Sequence, residues 1–185
     1  MKQKIAVHII SGFLGSGKTT FLNKLLGTKK QDENWIVVLN EVGSSVYKKQ
    51  HLANQGIIVK ELYGGCLCCS AAMTFRVALN KLIREFQPQR IFIEPAGAGH
   101  LNNIKKLLQG EFYQPILVLQ KTLCLLAHWQ LSDKKFSTNA YYLALIEEAD
   151  KLCFYEDDAQ YLAKKMATEY SKPLSRLKYN EQDLS

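Results

Sequence analysis

One short segment near the start of the chain constrains the fold more than any other. An apolar run over residues 5–10 leads directly into Gly12-Phe13-Leu14-Gly15-Ser16-Gly17-Lys18-Thr19, which matches the pattern G-x-x-x-x-G-K-[ST]. An amphipathic stretch follows over Lys18–Leu26 and ends at Gly27, a residue suited to a helix C-terminus. A strand, a glycine-rich loop and a helix in this order turn backbone N–H groups inward at the positive end of the helix dipole. The segment therefore predicts a phosphate site.

Each residue type in this loop has a chemical reason. Glycines allow the backbone to curl around an anion, the Lys18 ammonium suits the β and γ phosphates, and the Thr19 hydroxyl suits Mg²⁺. The predicted nucleotide-binding residues of the loop are Gly12, Gly15, Ser16, Gly17, Lys18, Thr19 and Thr20. The alternative is a chance glycine-rich turn at a helix start, but the flanking strand and helix favour the phosphate site.

Short apolar runs alternate with amphipathic stretches along the rest of the chain. The runs at 35–40, 56–62, 90–94, 115–120 and 151–155 predict strands, and the stretches at 71–86, 101–109, 139–149 and 159–170 predict helices. Strands joined by crossover helices form a parallel sheet. We therefore predict an α/β fold of the P-loop NTPase type, a three-layer sandwich with a mostly parallel central sheet.

Some segments are harder to interpret. Residues 123–129 suggest a short helix, 132–138 a loop, and 174–179 at most a short edge strand. We predict a nucleotide-binding domain over residues 1–172 and a polar C-terminal tail over 173–185.

Composition excludes several classes of protein. With 185 residues, of which 47% are hydrophobic and 22% charged, the chain has enough apolar material for one folded domain. A formal charge of +7 permits an anionic partner, but no arginine-rich run suggests nucleic acid. The apolar run at 5–10 is too short to span a membrane. We expect a cytoplasmic protein that binds neither nucleic acid nor membrane.

Two further segments carry candidate chemistry. Glu94 ends the apolar run 90–94 and Gly97 follows three residues later, so the carboxylate could serve Mg²⁺ and the Gly97 N–H a γ-phosphate. The alternative is an exposed acid followed by an ordinary turn, and the phosphate loop favours the functional interpretation.

Three thiols, those of Cys66, Cys68 and Cys69, fall in one turn between a predicted strand and helix. Three thiolates suit Zn²⁺ or another thiophilic ion, with a fourth position open to water, substrate or a carboxylate such as Glu41. The alternative is three small buried hydrophobic side chains. Cys124 and Cys153 lie in apolar stretches, where we expect inert buried thiols.

These motifs in this order, Gly12–Thr19, Asn40–Gly43, Gly64–Cys69 and Glu94–Gly97, resemble the CobW family of P-loop GTPases, metal-insertion proteins related to the urease and hydrogenase accessory GTPases. The resemblance implies that GTP hydrolysis drives the transfer of zinc, cobalt or a similar metal to a client protein. It also implies that the three clustered cysteines bind the metal, with Glu41 near both metal and nucleotide.

The sequence departs from the family pattern where the base is read. The motif N-K-x-D aligns with Tyr155-Glu156-Asp157-Asp158, so only the last acid remains to accept the guanine N–H groups. The loss of an Asn and a Lys predicts weak base discrimination. The four histidines, His8, His51, His100 and His128, are scattered, and we expect structural or exposed roles for them.

Three functions compete for this set of motifs. The first is a GTPase that binds and delivers metal, with Lys18, Thr19 and Glu94 as the catalytic residues, Mg²⁺ and Zn²⁺ (or Co²⁺) as metals, and GTP, or ATP, as nucleotide. The second is a sensor or adaptor that binds nucleotide and zinc, hydrolyses poorly and has a relaxed base preference. A small-molecule kinase ranks last because no arginine-rich lid is visible. Homo-oligomerisation is left open.

Overall fold

A computed structural model of the chain describes residues 3–39, 49–61, 69–95 and 97–184, with side chains throughout these ranges except at 49–51 and 69–72. The chain forms two compact units. Unit 1 comprises residues 1–8 and 29–120, and unit 2 comprises residues 9–28 and 121–185.

The described strands and helices alternate along most of the chain. The strands are β1 (Ile5–Gly12), β2 (Trp35–Leu39), β3 (Ile57–Glu61), β4 (Arg90–Glu94), β5 (Leu117–Leu119), β6 (Leu123–Leu126), β7 (Lys151–Phe154) and β8 (Leu174–Arg176). The α-helices are α1 (Lys18–Leu26), α2 (Lys49–Asn54), α3 (Cys69–Phe86), α4 (Ala98–Leu108), α5 (His128–Ser132), α6 (Ala140–Glu148) and α7 (Gln160–Glu169). Within the described ranges, no helix combines the length and apolar character needed to cross a bilayer.

Unit 1 is built around β2. This strand is buried along its whole length and pairs in parallel with β3 on one side and β4 on the other. Residues of β1 pair with β5, starting at Ile5 opposite Leu117. The sequence of β2 is apolar throughout because a parallel strand that is covered on both faces needs apolar side chains on both.

Unit 2 continues from the second half of β1. Ile10 pairs in parallel with Leu123 of β6, β6 pairs with β7, and β7 pairs with β8. β8 confirms the edge strand predicted within 174–179. After it, Leu177 and Leu184 are buried, so the segment following β8 packs against this unit.

In hydrogen-bonding order the strands read β3-β2-β4-β1-β6-β7-β8, with β5 paired to β1. The six strand pairs described above are all parallel. The predicted α/β fold with a mostly parallel sheet is confirmed.

The segment after β5 differs from the sequence prediction. Residues 123–126 form β6 rather than part of a helix, and α5 begins only at His128. A short apolar run buried on all sides has no periodicity that separates strand from helix, which is why the prediction was wrong. The predicted loop at 132–138 contains a 3₁₀ helix over Lys134–Thr138.

His8 is a buried titratable group in the β1 part of unit 1. Its side chain is 5% exposed and its ring stacks on Phe92, with 5.2 Å between the ring centroids. The Nε2 atom is buried, and no described residue forms a hydrogen bond with it. Burial, with a smaller contribution from the Arg90 charge, lowers the pKa of His8 to about 4. His8 is therefore neutral in the folded protein at pH 7.

This lowered pKa predicts a loss of stability in mild acid. An unfolded histidine titrates near 6.5, so the unfolded chain binds the proton first and the free energy of unfolding falls as the pH drops from about 6.5 towards 4. We expect this histidine to contribute a loss of about 2 kcal/mol between pH 7 and pH 5. In urea unfolding at both pH values, the free energy of unfolding of His8→Leu should fall by about 2 kcal/mol less than that of the unmodified chain. An equal loss in both proteins would contradict the assignment.

Candidate functional site

The loop between β1 and α1 lies in unit 2 and has the backbone of an anion nest. Gly12, Gly15 and Gly17 adopt positive φ angles of 140°, 76° and 89°. Gly17 is the left-handed N-cap of α1, without a side-chain cap, and the first turn of the helix carries no acid. The first N–H groups of a helix have no acceptor within it. These N–H groups are therefore suited to receive an anion.

Lys18 brings a positive charge into this loop. Its side chain is 6% exposed, and Nζ donates hydrogen bonds to the carbonyl oxygens of Gly12 at 3.0 Å and Phe13 at 3.3 Å. The ammonium group thus reaches back from the helix start to the opening of the loop. The Oγ of Ser16 is buried and has no hydrogen-bond partner among the described residues. Burying a hydroxyl without a hydrogen-bond partner is costly unless a ligand or a water molecule bonds to it. A phosphate oxygen bound in the loop would be a suitable partner.

Thr19 and Thr20 occupy the second and third positions of α1, where Thr19 is half-buried and Thr20 exposed. The seven residues predicted for the phosphate site therefore lie in one continuous segment, from the last residue of β1 through the loop to the start of α1. The geometry fits a polyphosphate, and the Thr19 hydroxyl, next to Lys18, is a suitable oxygen ligand for Mg²⁺.

Two aromatic side chains pack on the loop glycines. A Cβ atom placed on Gly15 would lie 3.1 Å from Trp129 of α5, and one on Gly17 would lie 3.2–3.3 Å from the ring of Tyr155. Neither residue was predicted from the sequence as part of the site. The available signals were their position just after β6 and β7, whose carboxyl ends are where α/β sheets bind ligands, and, for Tyr155, its place in the segment aligned with N-K-x-D.

The turn after β7 holds its acids in local interactions. Glu156 Oε2 accepts a hydrogen bond from the His128 backbone N–H at 2.7 Å, and Asp157 forms an ion pair with Arg176 at 2.6 Å. Asp158, predicted to contact the base, lies 3.4 Å from His128 Nδ1. Its side chain is 68% exposed.

Glu94 and Gly97 belong to unit 1. Glu94 is the last residue of β4 and is 6% exposed, and Gly97 is the buried N-cap of α4. The carboxylate is thus the buried end of a parallel strand rather than an exposed cap. The predicted roles of Glu94 with Mg²⁺ and of Gly97 with the γ-phosphate stay predictions.

The predicted thiol site falls largely outside the described residues. Glu41, Cys66 and Cys68 are not among them, and Cys69 is described only as the first residue of α3. In the part of the chain that the structure describes, no group of three or more His, Cys, Asp or Glu side chains is arranged to hold a metal ion.

Cys124 and Cys153 are buried in β6 and β7, as predicted. Burial raises the pKa of each thiol to about 12. Both side chains therefore stay protonated at neutral pH, and thiolate chemistry at these positions is suppressed.

Comparisons with known proteins identify the family to which the chain belongs. The family model described as CobW/HypB/UreG, nucleotide-binding domain, matches residues 6–174. The zinc chaperone YeiR of Escherichia coli (strain K12) is 39% identical over 82% of this chain and 46% of its own length. The zinc chaperone CobW of a Sinorhizobium species is 36% identical over 51% of this chain and 28% of its own length. The chain spans less than half the length of either relative.

A solved structure shows the same fold. The Zn(II)-bound YjiA GTPase from E. coli matches 96% of this chain and 58% of its own, with a TM-score of 0.65 and 20% sequence identity. At this identity the match shows the fold alone, and it confirms the predicted P-loop type of α/β fold. The family match, by contrast, rests on the sequence over most of the chain. The chain therefore belongs to the CobW/HypB/UreG family of nucleotide-binding domains.

Proposed function

We propose that this chain is a Mg²⁺-dependent GTPase domain that couples its nucleotide state to the binding and delivery of zinc, cobalt or a similar metal to a client metalloprotein. The observation that carries the proposal is the phosphate loop of unit 2. It combines three glycines at positive φ, a buried lysine ammonium and a buried serine hydroxyl that has no hydrogen-bond partner in the part of the chain that the structure describes. An anion with several oxygens satisfies all three features together.

The proposed roles follow from the chemistry of phosphoryl transfer. Lys18 stabilises charge that develops on the β and γ phosphates, and the backbone N–H groups of the loop hold the chain of phosphates in place. Thr19 and Glu94 are the proposed ligands of Mg²⁺, directly or through water, and Gly97 is proposed to contact the γ-phosphate. Mg²⁺, when bound, neutralises charge on the β and γ phosphate oxygens.

The metal to be delivered is proposed to bind at the clustered cysteines. Cys66, Cys68 and Cys69 supply three thiolates, and Glu41 is the proposed fourth ligand. Two relatives bear the name zinc chaperone, which supports zinc as the cargo. A change around the γ-phosphate can rearrange a neighbouring ligand set, so hydrolysis can alter metal affinity. The cytoplasmic location predicted from the sequence stays part of this proposal.

A second function is favoured by the turn after β7. Asp158 interacts with His128 and Glu156 with a backbone N–H group, so two carboxylates of this turn already have partners. This observation supports a weak preference for the base, which is one feature of the second candidate, a nucleotide- and zinc-binding sensor or adaptor that hydrolyses slowly.

Phosphate release separates the two functions. We expect the purified chain with Mg²⁺ to release phosphate from GTP at a rate that changes when zinc is added. The measurement should be repeated with ATP to assess the base preference. Tight nucleotide binding without phosphate release under all these conditions would instead support the sensor or adaptor.

Removing the clustered thiols should abolish zinc binding. The triple variant Cys66→Ser, Cys68→Ser, Cys69→Ser loses three thiolate ligands, so we expect it to lose stoichiometric zinc after dialysis, measured by atomic emission. Cys124→Ala is the matched control, because that thiol is buried and protonated, and it should retain zinc. Stoichiometric zinc in the triple variant would refute the thiol site.

A further inference from the structure

Tyr155 takes the position where the family motif has an asparagine, and the structure gives its ring a definite place. The phenol edge lies against Gly17, the N-cap of α1, close enough that an added Cβ would be 3.2–3.3 Å from the ring. The ring therefore borders the phosphate loop at the start of the helix. When the phosphates of a nucleotide bind at this N-terminus, a nucleoside that extends towards the turn after β7 lies beside the ring.

Neighbouring side chains hold the ring in place. The centroids of the Tyr155 and Tyr179 rings are 6.4 Å apart, and Tyr179 in turn lies beside Phe21 at 6.3 Å. The Lys24 ammonium lies 3.8 Å above the Tyr179 ring, a cation–π contact. Phe21 and Lys24 belong to α1, so the aromatic cluster packs against the helix that follows the phosphate loop.

The polar groups of the same turn are engaged elsewhere. Glu156 accepts the His128 N–H, Asp157 pairs with Arg176, and Asp158 pairs with His128. A base N–H group that approached the Asp158 oxygen nearest His128, which lies 3.4 Å from Nδ1, would compete with that contact. Tyr155 is only half-buried, and stacking on its ring requires no exchange of hydrogen bonds, since every base has a π-face.

We propose that Tyr155 is the residue that holds the nucleoside end of the bound nucleotide, by stacking, and that this contact replaces hydrogen-bonded reading of the base. This inference rests on the proposed function, since it needs nucleotide at the phosphate loop. Its consequence is that purine triphosphates bind with similar affinity.

The test compares nucleotides with a ligand that has no nucleoside. Calorimetry with Mg²⁺ should measure GTP, ATP and tripolyphosphate on the full chain. Stacking on an aromatic side chain contributes enough that Tyr155→Leu should weaken GTP and ATP roughly tenfold, while tripolyphosphate binding should be unchanged. Tyr155→Phe keeps the ring and should restore both nucleotides. Tyr161→Leu, a change at an exposed tyrosine of α7, is the matched control and should leave all three ligands unaffected.

Several results would overturn the inference. These are an equal loss of tripolyphosphate and nucleotides in Tyr155→Leu, no loss of either, or a preference for GTP over ATP of about a hundredfold or more in the unmodified chain. If Trp129→Leu, and not Tyr155→Leu, weakens nucleotide binding while tripolyphosphate binding is unchanged, the nucleoside lies on the Gly15 side of the loop. Tyr155 then does not hold it. Failure of the unmodified chain to bind tripolyphosphate would instead overturn the proposed function, and this inference with it.

Discussion

Lys18→Ala should weaken the binding of GTP and ATP by about two orders of magnitude and abolish phosphate release. The variant removes the buried ammonium that bonds the Gly12 and Phe13 carbonyls and leaves the loop without its cation. Charge-assisted hydrogen bonds to an anion each contribute about 1.5–3 kcal/mol, so losing the contacts to two phosphates accounts for this factor. Calorimetry gives the affinity, and a phosphate-release assay gives the turnover.

Lys164→Ala is the matched control for this substitution. Lys164 is an exposed lysine of α7, so the same change in net charge should leave affinity and turnover unaltered. A variant at Lys18 that folds and still binds GTP within a few-fold of the unmodified chain would show that the ammonium does not face the phosphates.

Gly12→Ala should destabilise unit 2 by about 3 kcal/mol or more and remove nucleotide binding with it. An added Cβ would lie 2.5 Å from Ser16 Oγ and 2.7 Å from the Leu125 carbonyl oxygen, at a φ of 140° that side chains rarely adopt. Leu125 is the backbone partner of Gly12 in the β1–β6 pair, so relieving the overlap would disturb the sheet. Urea unfolding measures the loss.

The chain offers a matched glycine for this experiment. Gly99 lies in the first turn of α4, and a Cβ added there would have no close neighbour, within 4 Å, among the residues that the structure describes. Gly99→Ala should be neutral or stabilise the protein by up to about 1 kcal/mol, because alanine is the better helix former. Equal stability of the two variants would contradict the packing described around Gly12.

The contiguous part of the site could be predicted from the sequence. The bounds of α1 and β4 agree with the prediction, because a glycine-marked helix and an apolar strand that ends in an acid are local signals. The phosphate loop is likewise contained within Gly12–Thr19, so its pattern carries both its position and its chemistry.

What could not be predicted depends on contacts between distant residues. Trp129 and Tyr155 reach the loop glycines from positions more than a hundred residues away in the chain, and no local pattern marks them for it. The interaction between Asp158 and His128 also arises only from the fold, because it joins the turn after β7 to the start of α5. The β6 strand could not be predicted because a short run of buried apolar residues is equally compatible with a strand and a helix.

Titration calorimetry of the purified, Mg²⁺-supplied chain with GTP and with ATP tests most directly whether the Gly12–Thr19 loop binds a polyphosphate. We predict saturable binding of both nucleotides at a single site, displaced by tripolyphosphate. Absence of measurable heat with both nucleotides, from protein whose folding has been verified, would contradict the phosphate site on which the proposed function depends.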